Sequence, residues 1–122
     1  MKKIFFTILC LLLATNLVLA SSVTRSFSKT TLSPGESFSV TLNVIVSSGD
    51  SSYLIDEVLP STSWIITNNG GGDISTNPPH IFWTILTSAT STSYTYTLTA
   101  PTTPGTYTFS GKYGFTSTGE QN

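Results

Sequence analysis

From Ser21 onward the chain alternates apolar and polar residues, and nowhere does it carry the three-to-four-residue spacing of an amphipathic helix. The clearest run is Ser37 to Val46. Phe38, Val40, Leu42, Val44 and Val46 fall on one side, with Ser39, Thr41 and Asn43 on the other. Successive side chains of a strand point to opposite faces, so this run predicts a half-buried strand. Ser93 to Ala100 repeats the pattern, with Tyr94, Tyr96, Leu98 and Ala100 opposed to four hydroxyl residues. Thr106 to Tyr113 does so again, with Tyr107, Phe109 and Tyr113 inward. Shorter strands are expected at Val23–Ser28, Tyr53–Leu59, Trp64–Thr67 and Ile81–Leu86. About seven short strands without a helix predict an all-β fold, an antiparallel two-sheet sandwich. Its expected core is Phe38, Val40, Leu42, Trp83, Tyr96, Leu98, Tyr107 and Phe109.

The residues between these runs are turn formers. Ser33-Pro34-Gly35 precedes the second strand, and Asn68-Asn69-Gly70-Gly71-Gly72 suits a loop that needs positive φ. Asn77-Pro78-Pro79 is expected to interrupt a ladder, since proline has no N–H to donate. Pro101-Thr102-Thr103-Pro104-Gly105 reads as a stiff crossover between two strands.

The first twenty residues follow other rules. Met1-Lys2-Lys3 is positive, Ile4 to Leu13 is almost wholly apolar, and Val18-Leu19-Ala20 ends on small residues before Ser21. This is the layout of a signal peptide over residues 1–20. An uncleaved anchor fits less well, because the apolar run is short for a span and Thr15-Asn16 break it. The expected organisation is a signal at 1–20, a sandwich domain at 21–116, and a polar end at 117–122 that reads as a truncated loop. The expected location is secreted or cell-surface.

Removing the signal changes the chemistry available. Cys10 is the sole cysteine and leaves with it, so residues 21–122 hold no disulfide, thiolate nucleophile or cysteine ligand. Arg25, Lys29 and Lys112 then face six carboxylates, a net charge of −3. Without a basic patch, neither nucleic acid nor an anionic membrane is an expected partner, and the membrane enters only through the export signal. Charged residues are 9% of the chain, against about 25% in ordinary domains. Serine and threonine replace them, 39 in residues 21–122. A mucin-like stalk has such a composition, but alternation with aromatics places these hydroxyls on strand faces.

Gly105-Thr106-Tyr107-Thr108-Phe109 has the spacing of a tyrosine corner, in which a hydroxyl bonds back to nearby backbone two residues ahead of a core position. It closes a longer series: Arg25-Ser26-Phe27, Pro34-Gly35-Glu36-Ser37-Phe38-Ser39-Val40-Thr41-Leu42, Glu57-Val58-Leu59-Pro60 with Trp64, Ile81-Phe82-Trp83, and Tyr94-Thr95-Tyr96 running to Ala100-Pro101. In this order the motifs resemble a family of immunoglobulin-like modules of archaeal and bacterial cell-surface and secreted proteins. The resemblance implies an immunoglobulin-like or fibronectin-like sandwich serving as spacer, stalk or adhesion module, with no catalytic residues. Such modules continue past G-T-Y-x-F-S-G into one more strand. Here the chain reaches Gly119-Glu120-Gln121-Asn122, so the last strand is expected to be missing and the edge at Tyr113–Phe115 open.

Candidate chemistry is sparse. His80 is the only histidine, near Asp73 and Ser75 in sequence, and nothing around it forms a nucleophile turn. Asp56 and Glu57 are adjacent on a strand and so point to opposite faces, with one expected to pair with Arg25 or Lys29. Asp50, Asp56 and Asp73 are too scattered for the six to eight oxygens calcium takes. Lys29 or Lys112 with Asn43 is a conceivable isopeptide pair. Trp64, Trp83, Tyr53, Tyr94 and Tyr96 are the candidates for a sugar platform, though strand phase places most of them in the core. The expectation is a non-enzymatic structural or adhesive module without catalytic, cofactor or metal residues. Its expected partners are other surface proteins, further domains of a longer chain, and glycans. A carbohydrate-binding module is the alternative.

Overall fold

The computed structural model describes residues 19–117 and 119–122. The signal expected at residues 1–20 lies outside them, apart from Leu19 and Ala20. The described residues form nine strands and no helix: β1 (Ser22–Phe27), β2 (Ser37–Ile45), β3 (Tyr53–Val58), β4 (Ile65–Asn68), β5 (Asp73–Thr76), β6 (Pro79–Ile85), β7 (Thr92–Thr99), β8 (Ser110–Phe115) and β9 (Gly119–Gln121). They pair antiparallel into two sheets, one ordered β1-β2-β7-β4 and the other β5-β6-β3-β8-β9.

The inner rows of the two sheets make one core. From the four-stranded sheet come Phe38, Val40, Leu42 and Val44 of β2 and Tyr96 and Leu98 of β7, with Ala100 beyond. From the five-stranded sheet come Tyr53 and Ile55 of β3, Ile81 and Trp83 of β6, and Phe115 of β8. Six of the eight expected core residues are buried here. Tyr107 and Phe109 are half-buried instead, because residues 104–109 form no strand and β8 begins only at Ser110. The inward phase of β8 is carried by Tyr113 and Phe115.

Two strands exceed the seven expected. β5 is a short polar strand that hairpins onto β6, with Thr76 opposite Pro79. Pro79 therefore opens a strand, where a missing N–H is tolerated, and its carbonyl accepts from Leu59 N at 3.0 Å. β9 lies within the segment read as a truncated loop. Gly119, Glu120 and Gln121 pair with Phe115, Gly114 and Tyr113. The edge expected to be open is thus covered over those three residues. Ser110 to Lys112 pair only with β3.

Candidate functional site

The charged groups sort by strand phase. Glu57 points inward and is 3% exposed. A buried carboxylate is costly unless partnered, and three donors reach it. Arg25 Nε lies 3.0 Å from Oε2, Arg25 Nη2 donates to Oε1, and Tyr96 Oη donates to Oε2 at 2.6 Å. Burial works against the Arg25 charge, yet Glu57 and Tyr96 outweigh it and raise the guanidinium pKa. Burial, then the Glu57 charge, drive the Tyr96 phenol far above its ordinary value. The cluster joins β1, β3 and β7 across the sandwich, so its role is cross-bracing.

Asp56 faces outward, with its Oδ1 2.6 Å from His80 Nδ1. Phe82 stacks on His80 with ring centroids 5.5 Å apart. Ser75 stands opposite His80 in the ladder, but no side-chain hydrogen bond joins the two among the described residues. Asp50 is buried and joins three segments: it accepts from Ser21 Oγ, from Ser47 Oγ at 3.1 Å and from Ser117 N at 2.7 Å. These hydrogen bonds, Ser21's foremost, hold its pKa below the usual aspartate value. Among the described residues no three His, Cys, Asp or Glu side chains gather as metal ligands would. Lys29 pairs with Glu36, Lys112 with Glu120 at 3.0 Å, and Asn43 accepts from Ser93. The isopeptide partners are thus engaged elsewhere.

The sugar platform of exposed aromatics is not formed. Trp64, Trp83, Tyr53 and Tyr96 are buried and Tyr94 is half-buried. Strand phase turns the four strand residues into the core, where Trp83 stacks on Tyr94 and Tyr53 Oη meets Tyr94 Oη at 2.5 Å, and Trp64, just ahead of β4, packs against the core's end.

Two other surfaces stand out. The first is the outer face of the four-stranded sheet. β2 and β7 face each other there in four hydrogen-bonded rungs: Ser37–Thr99 at 3.1 Å, Ser39–Thr97 at 3.4 Å, Thr41–Thr95 at 3.0 Å and Asn43–Ser93 at 2.7 Å. Thr24 and Ser26 of β1 extend two of the rungs, opposite Asn43 and Thr41. The outward rows of these three strands carry no charged residue. The alternation already made this face legible, but only the register shows that the hydroxyls meet in pairs.

The second surface is a groove of about 640 Å³ at one end of the sandwich. Phe27, Phe38, Trp64, Tyr107 and Phe109 wall it, between the segments 29–34 and 100–107. The rings pack edge to face around Trp64, whose centroid is 5.2 Å from Phe109, 5.3 Å from Tyr107 and 5.7 Å from Phe38. The expected corner bond is present, Tyr107 Oη donating to Thr103 O at 2.7 Å, and it fixes this wall. Trp64 is 6% exposed, and its Nε1 is the one buried side-chain nitrogen or oxygen without a partner among the described residues. Trp83 Nε1, by contrast, donates to Gly70 O at 3.1 Å. Nothing in the sequence separates these two indoles, because the difference lies in which loop passes each.

The chain is similar in fold to a chitin-binding domain. That domain, solved in solution, belongs to a hyperthermophilic chitinase from Pyrococcus furiosus. The two share 11% identity at a TM-score of 0.51, over 89% of this chain and 99% of that one. No protein-family model and no curated protein matches the chain.

Proposed function

We propose that this chain is a non-catalytic module that acts outside the cell by holding on to carbohydrate. The observation that carries the reading is the uncharged, hydroxyl-paired face of β2 and β7. Strand geometry sets its side chains in rows about 4.8 Å apart across strands and about 6.8 Å apart along them. Each hydroxyl has one donor and two acceptor positions, so a rung partner leaves capacity for a ligand. An array of neutral donors and acceptors suits a polyhydroxylated neutral polymer. The fold likeness to a chitin-binding domain supports the same class. The signal-like first twenty residues support export.

Retention of the purified protein on insoluble chitin and cellulose tests the reading. Binding by the wild type, lost when Thr41→Lys and Thr95→Lys place charges on the central rung, is the expected result. A chain that passes through every polysaccharide tested overturns it.

A spacer or protein-adhesive role within an immunoglobulin-like series is the second reading. It is favoured by the side of the sandwich where, among the described residues, β1 and residues 110–112 of β8 have no further strand beside them. Full-length secretion followed by cross-linking to a neighbouring surface protein would favour this second role.

A further inference from the structure

An orphaned indole N–H in an aromatic-walled groove is an unusual arrangement for a folded chain. Buried polar groups nearly always find a partner, and one left alone is destabilising. Trp64 Nε1 is such a group, and Trp64 is one of the residues lining a groove open to solvent at its rim. The walls are apolar ring faces and edges. Hydroxyl residues line the groove too, Thr30, Thr31, Ser33, Thr103 and Thr106, interspersed with Leu32 and three prolines. The one cation there, Lys29, is already paired with Glu36.

A pyranose ring meets all three features. Its C–H face is apolar and lies against aromatic rings, its hydroxyls need several hydrogen-bond partners, and its oxygens accept from an indole N–H. A proline-rich peptide also fits aromatic grooves. It offers few donors to these hydroxyls, so the observations favour the sugar. We propose that this groove holds one pyranose ring of a carbohydrate chain, an oxygen of which accepts from Trp64 Nε1. The inference rests on the carbohydrate reading above and adds a second site, separate from the hydroxyl face. Nε1 is shielded from water in the free chain, so the ring reaches it by a small outward movement of the wall. Residues 104–109 belong to no strand, so this segment can move as a unit, its Tyr107–Thr103 bond kept, without breaking a ladder.

The test uses the two indole N–H resonances of the ¹⁵N-labelled protein. Trp83, bonded to Gly70, is the internal control. Titration with triacetylchitotriose and with cellotriose should move the Trp64 resonance saturably downfield and leave that of Trp83 in place. Trp64→Phe keeps an aromatic ring and removes the donor, and should weaken calorimetric affinity by at least roughly 3- to 10-fold, the worth of one hydrogen bond. Saturable binding that leaves the Trp64 resonance unmoved overturns the groove and spares the carbohydrate reading. No binding of either sugar, together with no retention on polysaccharide, overturns both. A shift produced by a proline-rich peptide and by neither sugar overturns the sugar assignment.

Discussion

Glu57 occupies a place where strand phase calls for a hydrocarbon. Tyr53, Ile55 and Glu57 share the inward face of β3, and Val23, Arg25 and Phe27 share one face of β1. The alternation put Asp56 and Glu57 on opposite faces without deciding which pointed inward, and Arg25 was one of two partners it allowed. Tyr96 as the third member was not visible, because register between sheets is set by packing. Removing one member of a buried pair strands the other. Glu57→Gln should destabilise the fold by about 2–3 kcal/mol, below the range for a fully enclosed pair because the Arg25 side chain is 25% exposed. Tyr96→Phe should cost about 1 kcal/mol, one hydrogen bond. Urea unfolding of the two variants checks both values and their order.

At the scale of elements, alternation revealed the long strands and failed where a strand is short, polar or not the cause of its own alternation. β5 and β9 have three or four residues and no buried face, so nothing in their composition distinguishes them from loop. The pattern at Tyr107 and Phe109 was real, but it is served by an irregular segment pressed against the end of the core. Gly111 is what the pattern misses. A Cβ there would meet Asp56 O at 2.5 Å and Glu57 Oε1 at 3.1 Å. The close approach lets β8 lie against β3 beside the Glu57 carboxylate. Gly111→Ala should push the two strands apart and cost about 1–3 kcal/mol, the range for overpacking. Thermal melts reveal it as a lowered midpoint, with hydrogen exchange fastest in β8.

At the scale of the molecule, the nine small strands of the described residues rest on one shared core, with no disulfide in residues 21–122. Phenols are part of it. Burial raises the pKa of Tyr53 and Tyr96 well above the ordinary tyrosine value. Above about pH 10 the unfolded chain releases phenolic protons that the folded chain keeps, so stability falls as the pH climbs. Melting temperature should hold near about pH 8 and drop steadily towards about pH 11. Tyr96→Phe should flatten that descent while starting from a lower value.

The place of β8 bears on the order in which this chain is made. β3 is the middle strand of its sheet, and one of its two neighbours is residues 110–115, more than fifty positions later. A ribosome releases the sequence from the first residue onward, so the early strands emerge long before the one that completes their sheet. Until then the edge of β3 on that flank has no pairing strand, and its sheet stays incomplete. Under the export proposed above that delay would be useful, because a translocation channel passes unfolded chain and the finished sandwich would form on the far side.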